Sequence, residues 1–268
     1  MAKKMMKPVI RSHRLLIILA ASAVTLSACA TDPTKTGSIR PGSKPVEQMT
    51  ALELQQAIGS YQRLYDRNPN DKTVAMAFAS VLRMNGRDDQ ALAVMRKAAI
   101  THPEDRSVLA AYGKALAGAG EFTAALDAVQ RAQDPTSPDW RLISAEGAIY
   151  DQTGRSQQAR ERYRKALQLR PNEPSVLSNL AMSLILEGNL PEAERHLRTA
   201  VQQPGADSRV RQNLALAVGL QGRFGEAKSI AMQELSPQQA AENMQYLENM
   251  LSQENAWALI KQEDRSSN

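Results

Sequence analysis

Cysteine, histidine and aromatic residues are scarce in this chain. A single cysteine, Cys29, stands among 268 residues, so no internal disulfide braces the fold. The three histidines, His13, His102 and His196, are not paired at any metal-ligand spacing. Gly-x-Ser-x-Gly, a phosphate loop and His-Glu-x-x-His are absent, and with them the known nucleophile, nucleotide and zinc-hydrolase signatures. The carboxylates fall mostly at helix starts or on polar faces, where solvation and capping account for them. The sequence therefore predicts a non-enzyme with no metal and no cofactor.

Excess charge is lacking too, once its location is considered. The net charge of +5 and the pI near 9.4 invite a nucleic-acid reading. Five of the 33 basic residues and none of the 28 acidic ones lie in residues 1–28, which leaves 28 of each sign in the remainder. No arginine-rich run and no interleaving of basic with aromatic residues survives there, which argues against nucleic acid as a partner. Nor is there an apolar run long enough to span a bilayer. Leu15 to Ala28 follows Lys3, Lys4, Lys7, Arg11 and Arg14, and as a helix it reaches only ~21 Å against a ~30 Å hydrocarbon core. A basic start, a short apolar run and small residues before Cys29 read as an export signal over 1–28 in preference to a permanent anchor. Residues 29–46 carry Pro33, Gly37, Pro41, Gly42 and Pro45 among polar neighbours and read as a flexible tether, with an end-to-end distance of ~20–25 Å.

What the chain has is a period. Gly86, Gly120, Gly154, Gly188 and Gly222 stand 34 residues apart in unbroken register. With glycine at ~5% of the chain, four further hits by accident have a likelihood on the order of 10⁻⁵. Five residues after each comes Ala91, Ala125, Ala159, Ala193 and Ala227, and seven before each comes Ala79, Gly113, Gly147, Ala181 and Ala215. Small residues in both columns predict two helices in close approach. The Gly column suits the left-handed position that closes a first helix and turns the chain into a second. An acidic column, Asp71, Asp105, Asp139, Glu173 and Asp207, is placed to cap each first helix. Pro103, Pro138, Pro171 and Pro204 follow the second helices of their units. The larger column Met95, Val129, Tyr163 and Leu197 gives way to Ala231 in the fifth unit, which is degenerate as terminal repeats tend to be.

These columns at this period resemble the tetratricopeptide repeat. The resemblance implies an all-α, right-handed solenoid of helical hairpins with capping helices at both ends. A partial N-terminal repeat falls at 47–71, with Ala57, Tyr61 and Pro69 in the shared columns, and five repeats follow at 72–234. Ala240, Met244, Leu247 and Leu251 keep helical spacing, so capping helices are expected at 235–262, with a last turn around Trp257 and a disordered tail at 263–268. In this family the groove is lined by the second, fifth, ninth, twelfth and thirteenth residues of each unit. Carried over, those positions give Met76, Arg83 and Met84, then Lys114, then Arg141, Asp151 and Gln152, a mixed and polar half. Met182, Ile185 and Leu186 follow, then Leu216 and Leu220, an apolar half. Asn179 and Asn213 share the sixth position, where the family often grips a bound peptide's backbone. The apolar half suits either a partner segment or packing against the capping helix through Met244, Leu247 and Leu251.

Cys29 follows Leu26-Ser27-Ala28, which resembles a bacterial lipobox. That resemblance implies a covalent lipid on Cys29 and, with Ala30 rather than Asp next to it, the periplasmic face of the outer membrane. Val210 to Ala231 (VRQNLALAVGLQGRFGEAKSIA) and Asn243 to Leu251 (NMQYLENML) resemble the tail of the lipoproteins of the tight-adherence (Flp) pilus apparatus, the TadD type. This implies a pilotin-like assembly factor whose partners are the secretin channel or other pilus components. An envelope adaptor that recruits peptidoglycan-remodelling enzymes would share the same layout. The oligomeric state is not legible at this stage.

Overall fold

The computed structural model describes Val46 and residues 49–266, with side chains through residue 253. The export signal, Cys29 and, apart from Val46, the tether lie outside the described residues. Among the described residues there are twelve helices and no strand. The first, α1 (Ala51–Arg67), stands alone. Five hairpins follow: α2 (Lys72–Met84) with α3 (Asp88–Thr101), α4 (Arg106–Gly118) with α5 (Phe122–Ala132), α6 (Trp140–Gln152) with α7 (Ser156–Leu169), α8 (Pro174–Leu186) with α9 (Leu190–Val201), and α10 (Ser208–Gly219) with α11 (Phe224–Ala231). A long α12 (Pro237–Ser266) closes the array. Each helix packs on the next, and each first helix also touches the first helix of the following unit.

Each hairpin turn has one construction. Gly86 has φ +71° and its counterparts Gly120, Gly154, Gly188 and Gly222 lie between +73° and +84°. In the first unit the Gly86 amide donates to Arg83 O and the Arg87 amide to Leu82 O, at 3.0 and 2.9 Å. The same pair of bonds recurs in all five units, which satisfies carbonyls that the ending helix leaves open. Arg87 O then accepts from the Ala91 amide, so the residue after each glycine already begins the second helix. The connection is thus three or four residues long, and the helices are held antiparallel and adjacent.

The first helices begin as the acidic column predicts, with one exception. The Asp71, Asp105, Asp139 and Asp207 carboxylates accept from amides of the first turn at 2.8–3.2 Å. Glu173 makes no such bond. Its side chain is one methylene longer and takes the Ser175 hydroxyl instead. α1 starts on a reciprocal box in which Thr50 Oγ1 accepts from the Glu53 amide and Glu53 from the Thr50 amide.

Packing follows the two small columns. Ala91, Ala125, Ala159, Ala193 and Ala227 are all completely buried. Opposite them, a Cβ placed on Gly113 would lie 2.6 Å from Val129 Cγ2, and one on Gly147 would lie 2.6 Å from Tyr163 Cε1. Met95, Val129, Tyr163 and Leu197 fill the space beyond the contact and are at most 2% exposed. Truncating any of them to alanine should cost about 2–5 kcal/mol. The core runs as a ribbon of apolar clusters, one spanning α1 to α6 and the next α6 to α11, so α6 belongs to both.

The C-terminal end differs from the sequence reading in one respect. A single helix runs from Pro237 through Ser266, where a second capping helix and a tail from residue 263 were expected. Nothing between Ser252 and Ser266 breaks it, since the stretch holds no Gly or Pro. Its first half closes the solenoid as predicted. Ala240 is fully buried with Ala215 and Ala231, and Leu247 Cδ2 sits 2.5 Å from where a Gly219 Cβ would fall. The fifth unit is degenerate as expected, with an α11 of only 8 residues.

Gly147→Ala is expected to lower stability by about 1–3 kcal/mol, because the ring it meets is buried and has nowhere to retreat. Gly118→Ala, also helical, would meet only the end of the Asp88 side chain and should be neutral or stabilising. Thermal unfolding of the two variants checks the contrast; equal melting temperatures would contradict it.

Candidate functional site: the concave face

Stacked hairpins rotate by a small constant step, and the first helices α2, α4, α6, α8 and α10 line the inner face. None of the fourteen groove residues named from the sequence is buried. Leu186, at the end of α8, is 56% exposed, an apolar side chain left in solvent. Met182, Ile185, Leu216 and Leu220 are half-buried around it. The contacts of α12 go to Gly219, Ala215 and Ala231 on α10 and α11, at the end of the array. Among the described side chains, these contacts of the cap do not include Met182, Ile185 or Leu186 of α8.

The two asparagines are used within the array itself. Asn179 Nδ2 donates to Ser144 Oγ at 3.4 Å, and Asn213 Nδ2 donates to Ser178 Oγ at 2.9 Å. Each bond joins the sixth residue of one unit to the fifth of the unit before, so it ties successive first helices together. An amide has a second N–H and a carbonyl oxygen, and the serine fixes which way those point. The C-terminal half of the groove thus has a hydrogen-bonded floor between apolar walls. A serine 35 residues before each asparagine is the sequence signal for this ladder.

Asp151 closes α6 and is held from two sides. Ser183 Oγ donates to Oδ1 at 2.8 Å and Tyr163 Oη donates to Oδ2 at 2.9 Å. Burial pushes its carboxyl above the ordinary value against these hydroxyls and the nearby Arg160. Tyr163 is raised well above 10, by burial first and then by the Asp151 charge. Arg160 pairs with Glu187 at 2.7 Å. Arg141 is at the other end of α6, stacked 4.7 Å from the Trp140 ring and 3.8 Å from Asp139. Ten residues of helix put it ~15 Å along the axis from Asp151, so the two do not form a reactive pair.

One residue that sequence reasoning passed over is Glu146. It occupies the column of Phe78, Tyr112, Leu180 and Leu214, and is 5% exposed. A carboxylate in an otherwise apolar column was the available signal. Arg162 Nε lies 3.3 Å from its Oε2. Burial nevertheless dominates and raises its carboxyl above the ordinary 4.5, with Arg162 and Lys165 opposing.

Profiles described as tetratricopeptide repeat match residues 152–217, and 47–105 with 89–139, together more than half of the chain. No curated protein sequence matches the chain. Among solved structures, PilW, described as a widely conserved type IV pilus biogenesis factor, superposes with a TM-score of 0.56 at 19% identity, over 70% of this chain and 87% of PilW. Pseudomonas aeruginosa PilF gives 0.50 at 22% identity, over 67% and 82%. The Thermus thermophilus protein TTC0263 gives 0.55 at 22%, over 65% and 95%. At these identities the likeness is one of fold.

A carboxyl raised in the fold stabilises at low pH: its contribution is complete below about 4.5, the unfolded value, and is lost as pH rises through the folded value. Glu146→Gln should therefore melt higher than wild type at neutral pH and show a smaller fall in melting temperature between pH 4.5 and 7. Asp151 keeps a residual slope of the same sign. Parallel curves for the two proteins would contradict this assignment. Two matching profiles, the five-unit glycine turns and the small-residue contacts agree: the chain belongs to the tetratricopeptide-repeat family.

Proposed function

We propose that this protein is a non-catalytic, lipid-anchored scaffold that holds a segment of a pilus-assembly component in its concave face, acting like a pilotin for a secretin of the tight-adherence type. The observation that carries the binding role is the apolar wall of α8 and α10, exposed at Leu186 and, at α8, outside the described contacts of the capping helix. Repeat proteins of this family generally act as non-catalytic scaffolds, and a wall of this kind offers a partner helix or extended segment apolar area to bury. The pilus assignment draws support from the TadD-type resemblance of the C-terminal sequence and from the fold shared with PilF and PilW. The membrane address would come from Cys29, carrying three acyl chains at ~0.8 kcal/mol per buried CH₂, which holds a protein on a bilayer essentially without release.

The test is the amount of detergent-resistant secretin multimer in outer membranes of a strain lacking this protein. Loss of multimers with accumulation of monomer is expected, restored by the wild-type gene and not by Ile185→Asp with Leu216→Asp. That double variant should stay folded with only a modest fall in melting temperature, because both side chains are half-buried and Ile185 also touches the core. Unchanged multimers in the deletion strain would contradict the pilotin role and favour the envelope-adaptor reading. A large fall in melting temperature for the double variant would mean that the wall is structural.

A further inference from the structure

The capping helix carries more apolar positions than the array uses. Ala240, Met244 and Leu247 of α12 pack on α10 and α11. Tyr246, Met250, Gln253, Trp257 and Ile260 follow a second line along the same helix, in alternating steps of four and three residues. At about 100° per residue this line runs roughly 130° around the helix from the first, so it is turned away from the array. Tyr246 on it is 57% exposed, Met250 is half-buried and Gln253 is exposed. Steps of four and three sustained from 246 to 260, ~21 Å of helix, are the spacing that keeps positions in line with one partner helix. A helical end of this length is marginal in water without one.

We infer that the partner is α12 of a second copy of this chain, lying parallel and in register. The helix cannot fold back onto its own concave face, because nothing between Ser252 and Ser266 breaks it. Beyond Ser252 the chain holds three acidic residues (Glu254, Glu263, Asp264) against two basic ones (Lys261, Arg265), so it has no basic surplus to draw it to an anionic bilayer. A second copy in register sets Gln253 against Gln253. An amide carries both donor and acceptor, so the pair is self-complementary, and a lone polar residue in such a seam fixes register and orientation. The positions flanking the seam then bring Asn249 beside Glu254 and Ala256 beside Lys261, with no like charges together. An antiparallel pairing would set Gln253 against Met250 and Glu242 against Glu263. A tyrosine and a tryptophan from each copy bury up to roughly 600–1,000 Å² together, and Met250 and Ile260 bring the total to the ~1,200 Å² at which specific interfaces begin. This role for α12 is separate from whatever the concave face holds.

Disulfide trapping tests it on the purified full chain, with the native thiol removed as Cys29→Ser. Gln253→Cys should form a disulfide-linked dimer on mild oxidation, since facing seam positions come within the ~4.4–6.8 Å Cα separation that a disulfide spans. Glu248→Cys, also exposed but on another face of α12, should give about ten-fold less dimer. Adding Trp257→Glu and Ile260→Glu to Gln253→Cys should cut the dimer about ten-fold and leave the melting temperature unchanged, because neither position is among those that pack on the array. Trp257→Ala serves if the paired glutamates unwind the helix, with a smaller loss expected. Equal cross-linking from Glu248→Cys and Gln253→Cys, no dimer from either, or a dimer indifferent to the changes at 257 and 260 would overturn the proposal.

Discussion

The close approach of two helices at small residues, held by a left-handed glycine two residues from the next helix, is the constraint on which everything else in this array depends. Glycine and alanine at the crossing let the backbones meet, and Gly147 against the Tyr163 ring shows how little room is left. The large residue beyond each crossing then fills the space at nearly complete burial. Repeating that unit fixes the position of every first helix relative to its neighbours. The concave face is a consequence of this geometry and not a separate design.

Polar groups are used along the array in two different ways. At the helix starts, aspartates cap amides and make exposed pairs such as Lys72 with Asp105, which contribute little each. Between α6 and α8 each pair sets a buried group against a half-buried one: Ser144 with Asn179, Ser183 with Asp151, and Glu146 with Arg162 within the hairpin. These groups sit where the two apolar clusters share α6. Burial raises both carboxyls there, so this unit gives up stability at neutral pH that its neighbours keep with Leu180 and Leu214. Farther along, a cluster of Glu194 with Arg198 and Arg223 ties the fourth hairpin to the fifth, where α11 is shortest.

Much of this was legible in the sequence because the constraint is local and periodic. A φ near +75° strongly favours glycine, so the turns announce themselves at a fixed spacing. The helix-crossing alanines are equally readable, since only a small side chain fits. The groove positions follow from the same period, and none of them is buried. The fate of the asparagines was not readable, because their partners are serines 35 residues upstream and a peptide backbone would satisfy the same amides. Glu146 escaped notice because the column that contains it is defined by size and burial, which tolerate one paired exception. The capping helix was placed from Ala240, Met244 and Leu247, but its far end carries no Gly or Pro to mark a stop, and the tail expected from residue 263 is helical to Ser266.

In the proposed function the scaffold's uses converge on one surface, and the rest of the molecule either shapes that surface or closes its ends. A scaffolding role of this kind requires that the inner face of α8 and α10 touch another protein in the cell. Site-specific photocrosslinking answers this most directly, with a photoreactive residue placed at Leu186 or Leu216 and, for comparison, at Ile100 on a second helix, which is 76% exposed. Discrete adducts with one envelope protein from the two groove positions and none from Ile100 are the predicted result. Adducts of equal strength from all three, or from Ile100 alone, would contradict a concave binding face.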